Sequence, residues 1–569
     1  MISRKTRAGW KGSYPVFILK IDMNGRLYYA STKPLLLSSS QGDIQLNGGL
    51  IEDPDFNSSL SELGFNVSSY STPVAGYLHN VDLSLQYQQH NSLENASAEL
   101  SYILVDSSGD AESYDNRVFL IKGTLKEPTV GHRNKAKGYF EASIESEVLE
   151  TSLHSSSMGQ QARISPAELS DLVNPTLSPL TAIQDANGIL QLLELHKEKV
   201  LPIVFGSAGS FLDDSFSVQQ HPATPAYVLF AQSGSSNNIY LAIAPHPVKA
   251  TKVRIYDDLG NFRLENVHQW VRNDGRVFSF VQFTHSSGGF QNPVDDESAR
   301  YFVSFLSLYG GGLISPSDNE EITGAGDICL WSLQQGGQEI DYLAWQSLAP
   351  FLNTYKISGF INSQEISAIE FLEKDIIPLL PISVVQGKNG MKPILDLYAS
   401  GIKPTPICSL IASPELSASS ALQQRGDSSS LINDVTIAYC WDLKHGAYKA
   451  RQRITGDTTL SSATTAQNQI AVASHDKYGS RSTTIETRFV SDVDTAALIA
   501  SNIIRYNAFP ERFIEYIAAP SFGWIEIGDI LSLTDDAFSF SNENIQVVSK
   551  SWNDTSWRFT FKLTPEGLQ

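Results

Sequence analysis

The last fifty residues alternate. Trp524-Ile525-Glu526-Ile527-Gly528-Asp529-Ile530-Leu531-Ser532-Leu533-Thr534, Ile545-Gln546-Val547-Val548-Ser549-Lys550-Ser551-Trp552 and Trp557-Arg558-Phe559-Thr560-Phe561-Lys562-Leu563 place apolar side chains at every second position. A period of two gives a strand one face for a core and one for water, and no helix satisfies it. A polar loop from Asp535 to Asn544 and a turn at Asn553-Asp554 separate the runs, which predicts a closing three-stranded meander. Gly528-Asp529 is expected to be a turn, in which Gly accepts the bend and the Asp carboxylate accepts nearby backbone N–H groups.

The opening of the chain has the same character. Pro15 to Met23 and Arg26 to Ala30 flank Asn24-Gly25, a strong hairpin signal because that pair supplies the positive φ of a tight turn. Val81 to Tyr87, Ala98 to Val105, Arg117 to Gly123 and Tyr139 to Val148 continue an all-β block. Residues 150–200 are loop-like, with Pro175, Pro179 and Asn187-Gly188 and one short helix expected over Leu190 to Val200. Strands resume at Leu201 to Gly206, Ala226 to Phe230, Ile239 to Ala244, Lys252 to Tyr256, a hairpin from Gln269 to Phe283, and Tyr301 to Tyr309.

Ile366, Ile369, Leu372 and Ile376 recur at three- and four-residue steps, which predicts an amphipathic helix over Ser363 to Ile377, capped by Asn362 or Ser363 and ended by Pro378. A hairpin follows, Pro381 to Val385 and Met391 to Tyr398 around Lys388-Asn389-Gly390, expected to pack on that helix. Further on, Asp434 to Trp441 and Gln469 to Ser474 read as strands, and Thr495 to Tyr506 as a helix capped by Asp494. The fold class expected is mainly β with α+β insertions: two β-barrel-like domains in the N- and C-terminal regions plus intervening β-rich and α/β domains. The expected boundaries are 1–150 (N-terminal barrel), 151–340 (β-rich insertion), 341–410 (small α/β domain of helix plus hairpin) and 411–569 (C-terminal barrel with the closing meander).

Composition narrows the function. Charged residues are 18% of the 569, against roughly 25% in an average globular chain. Ser, Asn, Gln, Thr and Gly fill the gap, and uncharged polar groups are cheaper to desolvate at a subunit contact than ions. A net charge of −20 argues against a general nucleic-acid binder, although an acidic wall suits a channel that DNA crosses without sticking. Cys329, Cys408 and Cys440 have no CxxC spacing, so neither a zinc ribbon nor a disulfide framework is expected. The basic start, Met1 to Gly12, precedes an apolar run, Val16 to Leu19, too short for a signal peptide, and no run approaches the ~18 apolar residues of a membrane span. The arm is expected to be a solvated terminus or an anchor on an acidic neighbouring subunit.

Candidate sites fail one by one. Ser474-His475-Asp476-Lys477 fits SxxK and Ser317-Asp318-Asn319 fits SDN, but they stand in the wrong order and no KTG accompanies them. Gly206-Ser207-Ala208-Gly209-Ser210 is neither GxSxG nor a phosphate loop, and reads as a turn. Asp213-Asp214 and Asp295-Asp296-Glu297 sit among loop residues, where solvated carboxylates are expected. No HExxH or HxH pair occurs. Asn57, Asn66 and Asn95 head incidental glycosylation patterns. Asp529 is read as structural. No catalytic, cofactor or metal residues are therefore assigned, and no cofactor is expected.

Three stretches together resemble the baseplate or tail-tip hub proteins of long-tailed phages and of gene-transfer-agent-like particles. They are the hairpin of residues 15–30 with the strand ending Phe119-Leu120-Ile121-Lys122-Gly123-Thr124-Leu125, the helix plus hairpin of 355–398, and Ile527-Gly528-Asp529-Ile530 with its meander. The family often has Pro before Gly-Asp, where this chain has Ile527, and residues 150–340 do not match well. The resemblance implies a non-enzymatic virion protein, a homotrimer at the tail tip. It would join the tail tube to the baseplate and form part of the DNA-ejection channel. Implied partners are a distal tail ring protein, a tape measure protein and tail fibre or receptor-binding proteins, with DNA only in transit and no membrane anchor. It would be made in the host cytoplasm and reside in the virion. Two other classes stand beside it: a tail-associated cell-wall-degrading enzyme, and a host-glycan or receptor-binding adhesion protein using Trp270, Trp331 or Trp345 as stacking platforms.

Overall fold

Val16 to Leu19, the apolar run near the start, is a strand buried on both faces. In the computed structural model, Tyr14–Met23 lies inside a six-stranded antiparallel sheet between Arg26–Ser31 and Ser97–Val105, followed by Val118–Arg133, Lys137–Glu145 and Ser71–Tyr77. The structure describes residues 13–23, 25–50, 56–59, 71–77, 93–133, 137–145, 200–206, 224–231, 238–246, 248, 252–271, 277–284, 290–291, 299–304, 322–362, 366–398, 405–425, 430–553 and 555–565. One sheet face puts Val16, Ile18, Ile103 and Val105 against Leu37 and Leu46 of a small hairpin, Pro34–Leu37 with Ile44–Asn47. The other face carries Phe17, Leu19, Leu100, Tyr102 and Leu104 into a larger core. The expected two-residue turn follows Met23, which pairs with Arg26, and Gly25 has φ +82°.

That larger core is shared with the end of the chain. The closing meander forms as expected: Ile530–Asp535, Phe540–Asn553 and Ser556–Leu563 pair antiparallel in turn, and Glu511–Ala518 extends the sheet. Phe17 meets Trp552 at 5.5 Å and Tyr102 meets Trp557 at 5.6 Å between ring centroids. The closing sheet curls until one short segment bridges its edges. Ser409–Ile411 pairs parallel with Ile530–Asp535, and a few residues later Leu416–Ala418 and Gln423–Arg425 pair with Glu511–Ala518. The hairpin Ile382–Gly387 with Gly390–Leu395 has its partners in this sheet: Gln546 Nε2 donates to the Leu395 carbonyl at 2.9 Å, and Lys392 pairs with Glu526 at 2.9 Å. Residues 1–148, 381–431 and 509–569 make up this compact unit.

A second unit comprises 149–380 and 432–508. Here the six strands Thr224–Ala231, Asn238–Ala244, Val277–Thr284, Phe262–Val271, Lys252–Asp257 and Tyr301–Ser304 form a closed barrel around Val228, Leu241, Ile255, Val281 and Val303. The fully closed barrel thus lies within the β-rich insertion, while the sheets at the two ends of the chain are half-barrels. The expected class, mainly β with α-containing pieces, is the observed one.

Several local expectations are corrected. The helix placed over Ser363 to Ile377 is shorter and irregular: Ala368–Phe371 is α, Leu372–Ile376 widens into a π turn, and Ile377–Leu379 tightens to 3-10. Its cap is Ser367, which accepts from Glu370 N at 3.0 Å, rather than Asn362 or Ser363. Gln469 to Ser474 is not a strand but the start of the helix Gln469–Tyr478, capped by Asn468. Its two β-branched residues, Ile470 and Val472, do not outweigh a cap that accepts from both Ile470 N and Ala471 N. The late helix is Val493–Asn507, capped by Asp492 rather than Asp494. Two helices unforeseen in the sequence, Ala325–Gln335 and Tyr342–Leu352, pack together. The helix expected over Leu190 to Val200, the strand Val81 to Tyr87 and the basic arm lie outside the described residues.

Candidate functional site

The motif that most resembles catalysis is dismantled by its own hydrogen bonds. Ser474 is fully buried on the helix Gln469–Tyr478. Its hydroxyl donates to the Ala508 carbonyl at 2.6 Å and accepts from Asn433 Nδ2 at 3.2 Å. The hydroxyl is thus engaged by one backbone carbonyl and one side-chain amide, in a residue with no exposed surface. Lys477 lies 5.2 Å over the ring of Tyr478. Ser317-Asp318-Asn319, Asp213-Asp214 and Asp295-Asp296-Glu297 lie outside the described residues, as does Ser207 to Ser210; Gly206 sits in a bend. Among the described residues no cluster of three or more His, Cys, Asp and Glu is arranged to hold a metal ion.

Trp331, Trp345, Cys329 and Cys440 are buried. Trp345 is fully buried, and Trp331 is buried with its ring 5.2 Å from Phe205, so neither offers a face to a sugar. The side chain of Trp270 is outside the described set. All three cysteines are free thiols; Cys329 and Cys440 are buried and Cys408 is half-buried. Burial pushes the Cys329 thiol pKa far up, which leaves it unreactive.

The densest buried chemistry is in the closing sheet and is mechanical. Asp529 does what its turn position predicts, accepting from Glu526 N at 2.9 Å, while Gly528 adopts φ +83° beneath Ile394. Lys562 is buried between Asp396 at 3.2 Å and Glu511 at 2.6 Å. Burial opposes its charge, but the two carboxylates outweigh burial and hold its pKa above the ordinary lysine value. Tyr398 donates to the Leu563 carbonyl, so the segment after the hairpin is tied to the last strand twice. Tyr516 donates to Asp535 at 2.5 Å within the same sheet.

Lys550 is the exception to this pairing. A bulge between Val547 and Ser549 shifts the register so that Lys550 stands opposite Phe559 on the core face. Its Nζ donates to the Gly523 carbonyl at 2.5 Å and lies 4.5 Å over the Trp557 ring. Burial lowers its pKa to about 8, with Glu526 and Asp529 offsetting part of the effect. The alternation hides this lysine, because a bulge cannot be read from a period-two pattern.

No protein-family model matches this sequence, and no curated protein matches it. Among solved structures the chain is similar to the 43 kDa tail protein of prophage MuSo2 from Shewanella oneidensis, at 10% identity and a TM-score of 0.34, with 97% of this chain and 99% of that chain covered. It is also similar to a chain of the virion of a native gene transfer agent particle, at 11% identity and a TM-score of 0.38, covering 65% of this chain and 86% of that chain. Neither likeness, at such identities and scores, assigns a fold or an activity to this chain.

Proposed function

We propose that this chain is a structural component of a phage-type tail, the hub that joins the tail tube to the tip and lines part of the DNA-ejection channel. The observation that carries the reading is the unit built from both ends of the chain. The hairpin near the start and the closing meander, two of the stretches that resemble hub proteins, fold as half-barrels around one core. The hairpin of the third stretch is bolted to the meander by Lys392, Gln546 and Lys562. Buried ions and amides serve as ties between segments, which suits a body that must transmit force and has no bond to break. In this reading three copies assemble, the unit of 1–148, 381–431 and 509–569 presents its outer wall to the tube, and the unit of 149–380 and 432–508 contributes to the tip. A distal tail ring, a tape measure and receptor-binding proteins are the neighbours.

The test is location. An epitope-tagged chain expressed during particle production should co-purify with particles and be labelled by gold at one tail end. Absence from purified particles, or clearing of host peptidoglycan in a zymogram by the wild-type protein, would overturn the reading.

A further inference from the structure

A sheet of the second unit runs in the order Thr465–Gln467, Ala447–Thr455, Asp434–Asp442, Ser482–Glu486, so the last strand is an edge. It lies parallel to Asp434–Asp442, with Ser482 opposite Asp434, Thr484 opposite Thr436 and Glu486 opposite Ala438. The bonds at its two ends fix which backbone groups the sheet uses. The Arg481 carbonyl accepts from Asp434 N at 3.1 Å, and Thr487 N donates to the Ala438 carbonyl at 3.0 Å. A parallel ladder engages every second residue of a strand, so Thr483 and Ile485 also bond inward. Ser482, Thr484 and Glu486 therefore point their N–H and C=O groups away from the sheet. All three are exposed, and no strand among the described residues pairs with them.

Proteins blunt such edges with proline, lysine, a bulge or a covering segment. Ser482-Thr483-Thr484-Ile485-Glu486 has no Pro, no Lys and no register shift against its neighbour. The opposite edge is managed differently: Thr465–Gln467 is three residues long, and the Gln467 side chain donates back to the Thr458 carbonyl at 3.1 Å. A row of alternating amide donors and acceptors at strand spacing is matched by another extended chain, and a sugar or a lipid surface offers no such ladder. The side chains narrow the choice. Thr483 and Ile485 are half-buried on the face of Val435 and Ile437, which suits β-branched neighbours. Glu486 makes no ion pair among the described residues, and Arg451, level with it in the register, stands two strands away across Ala438. That separation is roughly 10 Å, against about 5 Å to a residue on an added strand.

We propose that Ser482–Glu486 takes up an extended strand of a different protein, added antiparallel, with a lysine or arginine opposite Glu486 and β-branched residues beside Thr483 and Ile485. Antiparallel addition gives Ser482, Thr484 and Glu486 each a directly opposed partner that exchanges both N–H···O bonds. The same strand of a second copy fits less well. Antiparallel about Thr484 it sets Ser482 opposite Glu486 and supplies no cation; parallel and in register it sets Glu486 against Glu486.

Fluorescence anisotropy of a labelled, end-capped peptide Lys-Val-Thr-Val-Thr on the full-length protein tests it. The peptide should bind saturably. Replacing its Lys by Glu, or N-methylating its Lys and Thr amides, which face the edge, should each weaken binding roughly ten-fold or more. Thr484→Pro should do the same, because it removes an outward N–H and leaves the ladder to Asp434–Asp442 whole. Glu486→Lys changes no backbone group and should reverse the preference between the Lys and Glu peptides. Circular dichroism of both variants should match the wild type. No saturable binding of the Lys peptide, equal binding of its N-methylated form, or an unchanged preference in Glu486→Lys would each overturn the proposal. Sedimentation velocity is run beside it: self-association abolished by Thr484→Pro would give this edge to a second copy and overturn the assignment to a different protein.

Discussion

At the scale of single residues, Lys550 costs stability that pH can return. The unfolded chain keeps this proton up to its ordinary value of 10.5, whereas the folded core releases it at about 8. Between those values the unfolded state binds more protons, so stability rises with pH through that window; below it the full penalty applies. The advantage of Lys550→Met over the wild type should therefore shrink by about 2 kcal/mol from pH 7 to pH 9.5. Urea unfolding followed by tryptophan fluorescence reports it, because Trp552 and Trp557 border the site. An advantage independent of pH would mean that Lys550 keeps its proton in the folded core as it does in the unfolded chain. Gly528 shows the opposite kind of constraint. A Cβ there would stand 2.3 Å from Ile394 in a conformation at φ +83° that L residues avoid. Gly528→Ala is expected to lose about 2–4 kcal/mol in the same assay.

At the scale of elements, caps decided what periodicity left ambiguous. The run Gln469 to Ser474 has apolar residues that suit a strand as well as a helix, and only Asn468 distinguishes the two. Its side chain satisfies two of the orphan amides at the helix start. Asn468→Ala should destabilise that helix by about 1 kcal/mol, seen as faster hydrogen exchange across 470–478 with the neighbouring strands unchanged. The helices Ala325–Gln335 and Tyr342–Leu352 escaped notice for a related reason. The first is buried almost throughout, so its apolar residues show no stripe, and the second holds Pro350 in its last turn. Arg26–Ser31 and the closing meander were legible by alternation, whereas Val16 to Leu19 and Tyr301–Ser304, buried on both faces, show as short apolar runs.

At the scale of the molecule, the two ends of the chain stabilise each other. Trp557 is fully buried against Phe56, Tyr102 and Trp552, residues drawn from both ends. Trp557→Ala should cost about 3–5 kcal/mol and raise hydrogen exchange in 14–23 as well as in 540–563. A fragment ending at 150 should lack a cooperative unfolding transition, because one face of its sheet would lose its cover. A cooperative transition in that fragment would show that the opening sheet carries its own core.

Periodicity and turn chemistry determined the β class, the opening hairpin, the meander and the Gly528-Asp529 turn, since each depends on neighbours a few residues away. Within the motif Ser474 to Lys477, the tertiary structure adds that Ser474 is buried. Only the tertiary structure decided that the closed barrel lies in the middle of the chain, that the end sheets share a core, and that Lys550 points inward. Those outcomes depend on which strand edges meet across hundreds of residues and on a one-residue bulge, and neither leaves a mark on local spacing.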